Sequence, residues 1–425
     1  MLKNIINTFI TRVAASAANL IIAIIISNIF GAAIKGEQGL ILATITIITL
    51  VAALIGAGSI VYLIPRMSIS SLLIPSYLWN LLICIVVFIL LKVTSILPDG
   101  LVMPTCLLAF IQSISMVHSG ALLGIEKIKE SNYANLTNTL FVLCALLFNI
   151  FILKTGNIFA YIYALYIGYL AGFLLSTLFV FRSRSLFYSA LTEKTKSVIS
   201  ATRELFRFGL LNQMDVLTQM LSFRLSYYAI SYYMSKSAVG IYSNAISIVE
   251  SIWLISRSIS MVQNARIVNS NDLNYSVRIT LQLLKVSFLL VFVVVVILQF
   301  VPASFYRFLF GNEFGEVRMV ILTVSPGILF FCISFILSGL FAGTGNYRYN
   351  TIASVAGLIV TLPLVVILIP RLGLTGAGIT ASISYCSHTA VKLSFFIRKF
   401  PVTARELRIT KTDFQLFFNY LKAEK

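Results

Sequence analysis

Arginine side chains lie inside long apolar stretches of this chain, where a permanent positive charge is rare. Arg224 and Arg257 fall in stretches that otherwise look like membrane spans, and Arg12 falls in the first such stretch. A guanidinium group stays protonated in these surroundings and presents a planar fork that suits phosphate oxygens. A charge near the bilayer centre costs about 2.5–3.5 kcal/mol on insertion scales, so each arginine is expected to face a cavity or a partner. Together they predict a trap for a diphosphate.

Other polar residues share helical faces with these arginines. On the eighth predicted helix, spacings of 4, 3, 7 and 7 place five residues on one face, namely Ser243, Ser247, Glu250, Arg257 and Asn264. The first helix carries a shorter polar stripe that includes Asn19, and the seventh carries Gln213 on roughly the same side as Arg224. The predicted substrate-binding residues are therefore Arg12, Arg224, Arg257, Asn19 and Gln213.

A structural role is the alternative for each of these charges. Arg257 could pair with Glu250 two turns away, and Arg12 lies at a depth from which its side chain can reach the inner surface. Glu250 and Asp215 are the carboxylates predicted within spans, which makes them candidates for coupling transport to a cation or, alternatively, for simple charge neutralisation. Asp215 is nine residues from Arg224, so the two cannot pair within one straight helix.

Composition indicates the elements that must position these residues. The 425 residues are 59% hydrophobic and 11% charged, whereas a soluble chain carries about 25% charged residues, so a soluble enzyme is excluded. Twelve stretches reach the roughly 20 residues that a helix needs to cross the hydrocarbon core. Since backbone groups in lipid must be satisfied internally, we interpret them as helices. The first apolar run exceeds a signal-peptide core, so residues 5–30 are expected to be a retained helix.

The distribution of the 32 Lys and Arg residues predicts the orientation. Alternating the twelve spans places 21 of these cations on one side, 7 on the other and 4 within spans. The positive-inside rule therefore predicts that both termini are cytoplasmic. Most of the net charge of +18 then reflects orientation, and we expect no nucleic-acid partner.

The predicted fold class is an all-α polytopic membrane protein, with about twelve helices in two pseudo-symmetric six-helix bundles around a central cavity. The expected organisation is an N-terminal bundle over 1–181, a basic cytoplasmic linker over 182–203, a C-terminal bundle over 204–398 and a cytoplasmic tail over 399–425. The turn around Gly39 resembles the turn around Gly240, an offset of 201 residues, and repeated halves are typical of transporters with a midplane site. The tail is expected to form an amphipathic helix on the inner leaflet or a solvated end.

Three further patterns give local expectations. Pro326 and Pro363 lie inside predicted spans, where a missing N–H permits a kink. Five widely spaced cysteines are expected to be buried small hydrophobic residues, and two histidines in different spans argue against a metal site or a histidine-based catalytic triad. No metal or cofactor is expected.

Four motifs resemble a known family. Residues 369–381 (IPRLGLTGAGITA), 342–348 (AGTGNYR), 239–245 (VGIYSNA) and 28–39 (NIFGAAIKGEQG) are similar to segments of the polysaccharide and O-antigen flippases. These are lipid-linked oligosaccharide exporters of the multidrug/oligosaccharidyl-lipid/polysaccharide superfamily. The motifs occur in the family's order and extend over essentially the whole chain. The chain departs from the family in carrying Arg224 about where an aspartate is common, which would make its cavity more cationic.

The resemblance implies a flippase that moves an undecaprenyl-diphosphate-linked oligosaccharide from the inner to the outer leaflet of a bacterial inner membrane by alternating access. Related peptidoglycan-precursor flippases use arginines on the first and eighth helices, which correspond in kind to Arg12 and Arg257. Implied partners are membrane lipids, a coupling H+ or Na+ and a polysaccharide polymerase complex. An ion-coupled multidrug antiporter of the same superfamily is the alternative. A membrane enzyme is not expected, because the longest outer connection, roughly 302–318, offers no histidine.

Overall fold

The computed structural model describes residues 2–64, 67–183, 198–268, 272–400 and 402. Within these ranges the regular structure is entirely helical. The helices are α1 (Leu2–Ala52), α2 (Ala57–Leu63), α3 (Ile69–Thr94), α4 (Asp99–Gly124), α5 (Ile128–Phe151), α6 (Ile158–Arg182), α7 (Val198–Tyr233), α8 (Lys236–Val268), α9 (Leu273–Phe300), α10 (Ala303–Phe310), α11 (Val317–Gly343) and α12 (Arg348–Lys399). Short 3-10 turns occupy Ala53–Ile55 and Asn312–Glu316.

Two helices are far longer than a bilayer is thick, and each contains one break. The backbone of α1 leaves helical geometry at Gly31, with φ of 78°, and that of α12 does so at Gly373, with φ of 59°. Glycine adopts positive φ without the steric cost that a Cβ imposes. A helix of about 50 residues would extend for roughly 75 Å at 1.5 Å per residue, so each break divides one helix into two span-length arms.

Among the described residues, nine helices are long and apolar enough to cross a membrane. This set contains the divided helices α1 and α12 and excludes α7, whose 36 residues include several charged ones. Counting α1 and α12 twice and adding α7 gives twelve spans. The prediction of an all-α multi-pass membrane protein is confirmed.

The predicted kinks at prolines are not where the breaks occur. The assigned helix α11 continues through Pro326 and α12 continues through Pro363. Ser325, which precedes Pro326, donates its hydroxyl to the Ile321 carbonyl at 2.7 Å. The interruption in α12 lies ten residues after Pro363, at Gly373.

Polar side chains at the starts of two helices accept hydrogen bonds from backbone N–H groups. These N–H groups have no carbonyl of a preceding helical turn to which they could donate. The Asp272 carboxylate accepts the N–H groups of Asn274 and Tyr275 at the start of α9, at 2.8 and 3.2 Å. Asn157 does the same for Phe159 at the start of α6. Each cap accepts one or two of the four N–H groups that a helix start leaves without an intrahelical partner.

The described residues form two compact units. Unit 1 contains Met1–Met220, Ser235–Ile241 and Leu309–Glu313, and unit 2 contains Leu221–Met234, Tyr242–Phe308 and Phe314–Lys425. The core of unit 1 includes Ile60, Leu72 and Leu205, and that of unit 2 includes Leu337, Phe341 and Phe396. Helix α7 contributes to both units. Most of the predicted linker and nearly all of the predicted tail lie outside the described residues, so those two expectations stay predictions.

Candidate functional site

Arg224 forms an ion pair with Glu250 in unit 2. One terminal nitrogen of Arg224, on α7, lies 3.1 Å from Glu250 Oε1, on α8. The Arg224 side chain is 15% exposed and the Glu250 side chain 38%, so the carboxylate is the more accessible partner. Since Arg224 is mostly covered, its charge depends on this carboxylate for compensation.

Tyr227 provides the second contact of Arg224. The Nη1 group of Arg224 donates a hydrogen bond to the Tyr227 hydroxyl at 3.2 Å, and the guanidinium carbon lies 5.3 Å from the centre of the Tyr227 ring. The Nε group of Arg224 is buried and makes no hydrogen bond. Of the five N–H donors of the guanidinium, the one on Nε is therefore buried and unused.

Aromatic rings form a rigid base under this ion pair. Tyr227 packs edge-on against Tyr242 at 5.3 Å, and Phe223 contacts the rings of Trp253 and Tyr385 at 5.3 and 5.1 Å. All five side chains are buried. Because aromatic side chains have few rotatable bonds and pack with specific geometry, they hold Arg224 in a fixed direction.

Arg257 lies on α8 two turns after Glu250, in a different environment from Arg224. Its side chain is exposed, and the guanidinium carbon lies 5.0 Å from the ring centre of Phe335 on α11. A cation over an aromatic face is stabilised by about 0.5–1 kcal/mol at an exposed site. Glu250 pairs with Arg224 rather than forming the alternative pair with Arg257 that the sequence left open.

The remaining predicted site residues belong to unit 1. Arg12 and Asn19 are exposed on the first arm of α1, while Gln213 and Asp215 are half-buried on α7. The first arm is tied to α5 by a hydrogen bond of 2.8 Å from Asn132 to the Thr8 hydroxyl. The structure therefore joins Arg224 to Glu250, and a substrate role for each of the predicted residues stays a prediction.

Two lysines that the charge count placed outside the spans lie within helices and are buried. Lys35, expected in an outer loop, lies within the helix that follows Gly31, is 3% exposed and donates to Gln38 Oε1 at 2.7 Å. Lys392, counted among the 21 cations of the cytoplasmic side, is 1% exposed and bonds to the Ser338 hydroxyl. The one available signal was the spacing of Lys35 and Gln38, which allows a contact across one helical turn.

The histidines and cysteines of the described residues form no metal-binding group. His118 contacts the Tyr77 hydroxyl at 2.6 Å, and His388 contacts the hydroxyls of Ser334 and Ser354 at 2.9 and 3.1 Å. All five cysteines are free thiols. The expectation that all five are buried is wrong for Cys144, which is exposed on α5, and Cys386 is only half-buried.

Comparisons with known proteins give a short sequence match. No protein-family model matches the chain. The capsular polysaccharide biosynthesis protein CapF of Staphylococcus aureus is 36% identical over 95 residues. The matched stretch spans 23% of the length of CapF and 21% of this chain, so it is a local likeness.

Solved structures match over almost the whole chain. An inward-facing multidrug resistance MATE family transporter of the MOP superfamily has a TM-score of 0.74 at 16% identity, covering 91% of this chain and 94% of the other. The lipid II flippase MurJ, in an inward closed conformation, has a TM-score of 0.70 at 16% identity, covering 96% and 89%. An outward-facing MATE transporter has a TM-score of 0.65 at 13% identity, covering 96% and 97%. At these identities the likeness establishes the fold alone, which this chain shares with these three proteins.

Proposed function

We propose that this chain is a flippase for an undecaprenyl-diphosphate-linked oligosaccharide, the repeat unit of an O-antigen or other polysaccharide. It moves this lipid from the inner to the outer leaflet of a bacterial inner membrane, with both termini cytoplasmic. The observation that carries the proposal is the Arg224–Glu250 pair, 3.1 Å apart, with Arg224 held against Tyr227 and Tyr227 packed on Tyr242. A fixed arginine in such a place suits a ligand with a compact negative charge.

The chemistry of the pair suits capture of a diphosphate. Glu250 neutralises Arg224 when no substrate is bound, and a phosphate oxygen can replace one carboxylate oxygen without leaving the guanidinium unpaired. Glu250 makes a single contact with Arg224 and leaves its Nε donor unused. Phosphate can accept a second hydrogen bond from this donor. Arg12, Arg257, Asn19 and Gln213 supply further charge and hydrogen bonds in this proposal.

The comparisons support the same substrate class. MurJ is described as a lipid II flippase, and CapF as a protein of capsular polysaccharide biosynthesis. Lipid movement in the one and polysaccharide biosynthesis in the other both fit the lipid-linked glycan that the sequence motifs imply. A polysaccharide polymerase complex is the proposed recipient of the translocated unit.

Transport is proposed to proceed by alternating access without ATP hydrolysis. The sequence contains no phosphate-binding P-loop. The energy then comes from the membrane potential or from a gradient of H+ or Na+. Glu250 and Asp215 are the proposed coupling groups.

An ion-coupled multidrug antiporter is the second candidate, because the fold is shared with MATE transporters. Cationic drugs require carboxylates that are free to bind them. Glu250 is already paired with Arg224, and Arg224 and Arg257 are cations on the same two helices. The flippase is therefore the better supported function.

Reconstitution in liposomes tests the two functions directly. We expect purified protein to move a fluorescent undecaprenyl-diphosphate oligosaccharide between leaflets, measured as the fraction accessible to dithionite. Arg224→Ala and Arg257→Ala should each slow this movement by about tenfold or more, because a hydrogen bond to a charged group contributes about 1.5–3 kcal/mol. Arg278→Ala, an exposed arginine on α9, is the matched control.

Two results would overturn the flippase proposal. One is wild-type lipid movement by both arginine variants when each is folded and reconstituted equally. The other is gradient-driven uptake of a cationic dye by liposomes that move no lipid, which would establish the antiporter instead.

A further inference from the structure

The break in α1 at Gly31 is enclosed by two chain stretches that occur much later in the sequence. Residues 235–241 and 309–313 both belong to unit 1, together with α1. They contact the residues on either side of Gly31 through three side-chain contacts and two close backbone approaches. We call this set the Gly31 clamp, and its members are Asn28, Gly31, Ala32, Gly36, Glu37, Lys236, Gly240, Leu309 and Glu313.

Residues 309–313 hold both sides of the break. The Glu313 carboxylate accepts the N–H of Ala32, the first residue of the second arm, at 2.7 Å. The side-chain amide of Asn28, in the first arm, donates to the Leu309 carbonyl at 2.7 Å. A carboxylate at the start of a helical arm is stabilised by unpaired N–H groups and by the helix dipole. The Glu313 charge therefore contributes to the position of the second arm.

Residues 235–241 form the second wall of the clamp. Lys236 Nζ lies 2.6 Å from Glu37 Oε1, with side chains that are 43% and 19% exposed. The backbones touch beside this pair: a Cβ added to Gly36 would lie 1.8 Å from the Lys236 carbonyl oxygen, and one added to Gly240 would lie 2.1 Å from the Ala32 carbonyl oxygen. No other residue type fits at either glycine while the clamp is closed.

We propose that the Gly31 clamp is a latch that separates and closes again during each transport cycle, an inference that rests on the proposed function. These contacts between the two stretches and α1 are made by charged side chains, an amide, backbone groups and glycines, which suits them to separation. Each of these polar groups can be hydrated when the clamp opens. Gly31 lies between the two arms and can change φ and ψ without the steric limits of a Cβ, so it serves as the hinge.

A buried reporter thiol measures opening of the clamp. In a chain with the five native cysteines replaced, Ala32→Cys places a thiol on a clamp residue that is 1% exposed and whose backbone contacts both Glu313 and Gly240. The rate of its reaction with a maleimide then follows the fraction of open clamps. We expect Glu37→Gln and Glu313→Gln to raise this rate by about twofold to fivefold, the range given by about 0.4–1 kcal/mol for the ion pair of Glu37 and for the carboxylate of Glu313 at a helix start. Glu316→Gln, in the same 3-10 turn as Glu313, is the matched control.

Two further variants separate a latch from static packing. Gly36→Ala should accelerate labelling by wedging the backbones apart, whereas Gly156→Ala, with open space around it, should not. The exchange Glu37→Lys with Lys236→Glu should return the rate to within twofold of the parent. The proposal is overturned if the Glu37, Glu313 and Gly36 variants label at the parent rate, or if the exchange fails to restore it in protein that elutes and melts like the parent. Labelling needs no substrate, so a chain that moves no lipid but shows these rate changes would refute only the proposed function.

Discussion

Glu250 is the more exposed member of its ion pair with Arg224, with 38% of its side chain accessible against 15% for the arginine. The two side chains come from different helices, α7 and α8. Because the arginine lies behind the carboxylate, removing Glu250 strands a mostly buried charge, while removing Arg224 leaves a carboxylate that water can reach.

This asymmetry predicts unequal effects on stability. Glu250→Ala should lower the free energy of unfolding by about 1 kcal/mol, which is the upper end of the range for ion pairs that water partly screens. Arg224→Ala should lower the free energy of unfolding by less than Glu250→Ala does, because water can reach the carboxylate that remains. Thermal melting in detergent compares them, with Ser251→Ala, the exposed neighbour of Glu250, as control. Equal melting temperatures for Glu250→Ala and Ser251→Ala would show that the pair contributes nothing.

Coupling to a cation gradient is expected to depend on Glu250. If the carboxylate takes up a proton or Na+ when the diphosphate replaces it on Arg224, then Glu250→Gln should move lipid at a rate independent of the imposed gradient. Wild-type protein should respond to the gradient. The measurement is lipid movement in liposomes with and without a pH or sodium gradient. Asp215→Asn is the comparison, and a gradient response that disappears only in that variant would assign coupling to Asp215.

The break in α12 should be sensitive to any side chain at Gly373. Its φ is 59°, and an added Cβ would lie 3.1 Å from the Met234 methyl group. Gly373→Ala is therefore expected to destabilise the protein by about 1 kcal/mol or more, the cost of left-handed geometry for a residue with a Cβ. Gly100→Ala, at a helical position with no neighbour within 4 Å, should melt at or above the parent temperature. A Gly373→Ala variant that melts with the parent would contradict the expected strain.

The predicted orientation can be tested by single-cysteine labelling. Cysteines introduced between residues 185 and 200 should react with an impermeant maleimide only after the membrane is permeabilised, because that linker is expected to be cytoplasmic. A cysteine at Ser304, exposed on α10 in the predicted outer connection, should react in intact cells. The reverse pattern would invert the topology and the direction of transport.

Composition and charge were sufficient to predict the fold class. Twelve stretches long enough to span a bilayer were recognised from hydropathy alone. They could be interpreted as helices because the backbone of each span must satisfy its own hydrogen bonds in lipid. The prolines did not mark the breaks, which lie at Gly31 and Gly373. Proline indicates a local loss of one hydrogen bond, which a helix tolerates at Pro326 and Pro363, whereas a change to positive φ depends on glycine and on tertiary contacts around Gly31 and Gly373.

The candidate site could be predicted only in part. Helical spacing placed Glu250 and Arg257 on one face of α8, and it showed that Asp215 and Arg224 are on opposite sides of α7. Spacing within one helix cannot indicate which residues of two neighbouring helices contact each other. The Arg224–Glu250 pair, which joins α7 to α8, could therefore be found only in the structure. Lys35 was missed for the same reason, since only the packing around the second arm of α1 shows that it is buried.

Unit 1 is assembled from parts that leave the ribosome at very different times. Its helices α1 to α6 are complete before residue 190, yet Lys236 arrives some fifty residues later and Glu313 more than a hundred residues later. Domains form during synthesis as their residues appear. The amide of Ala32 therefore cannot donate to Glu313 until most of the chain has been made. A nascent chain that ends before residue 313 lacks this contact of unit 1.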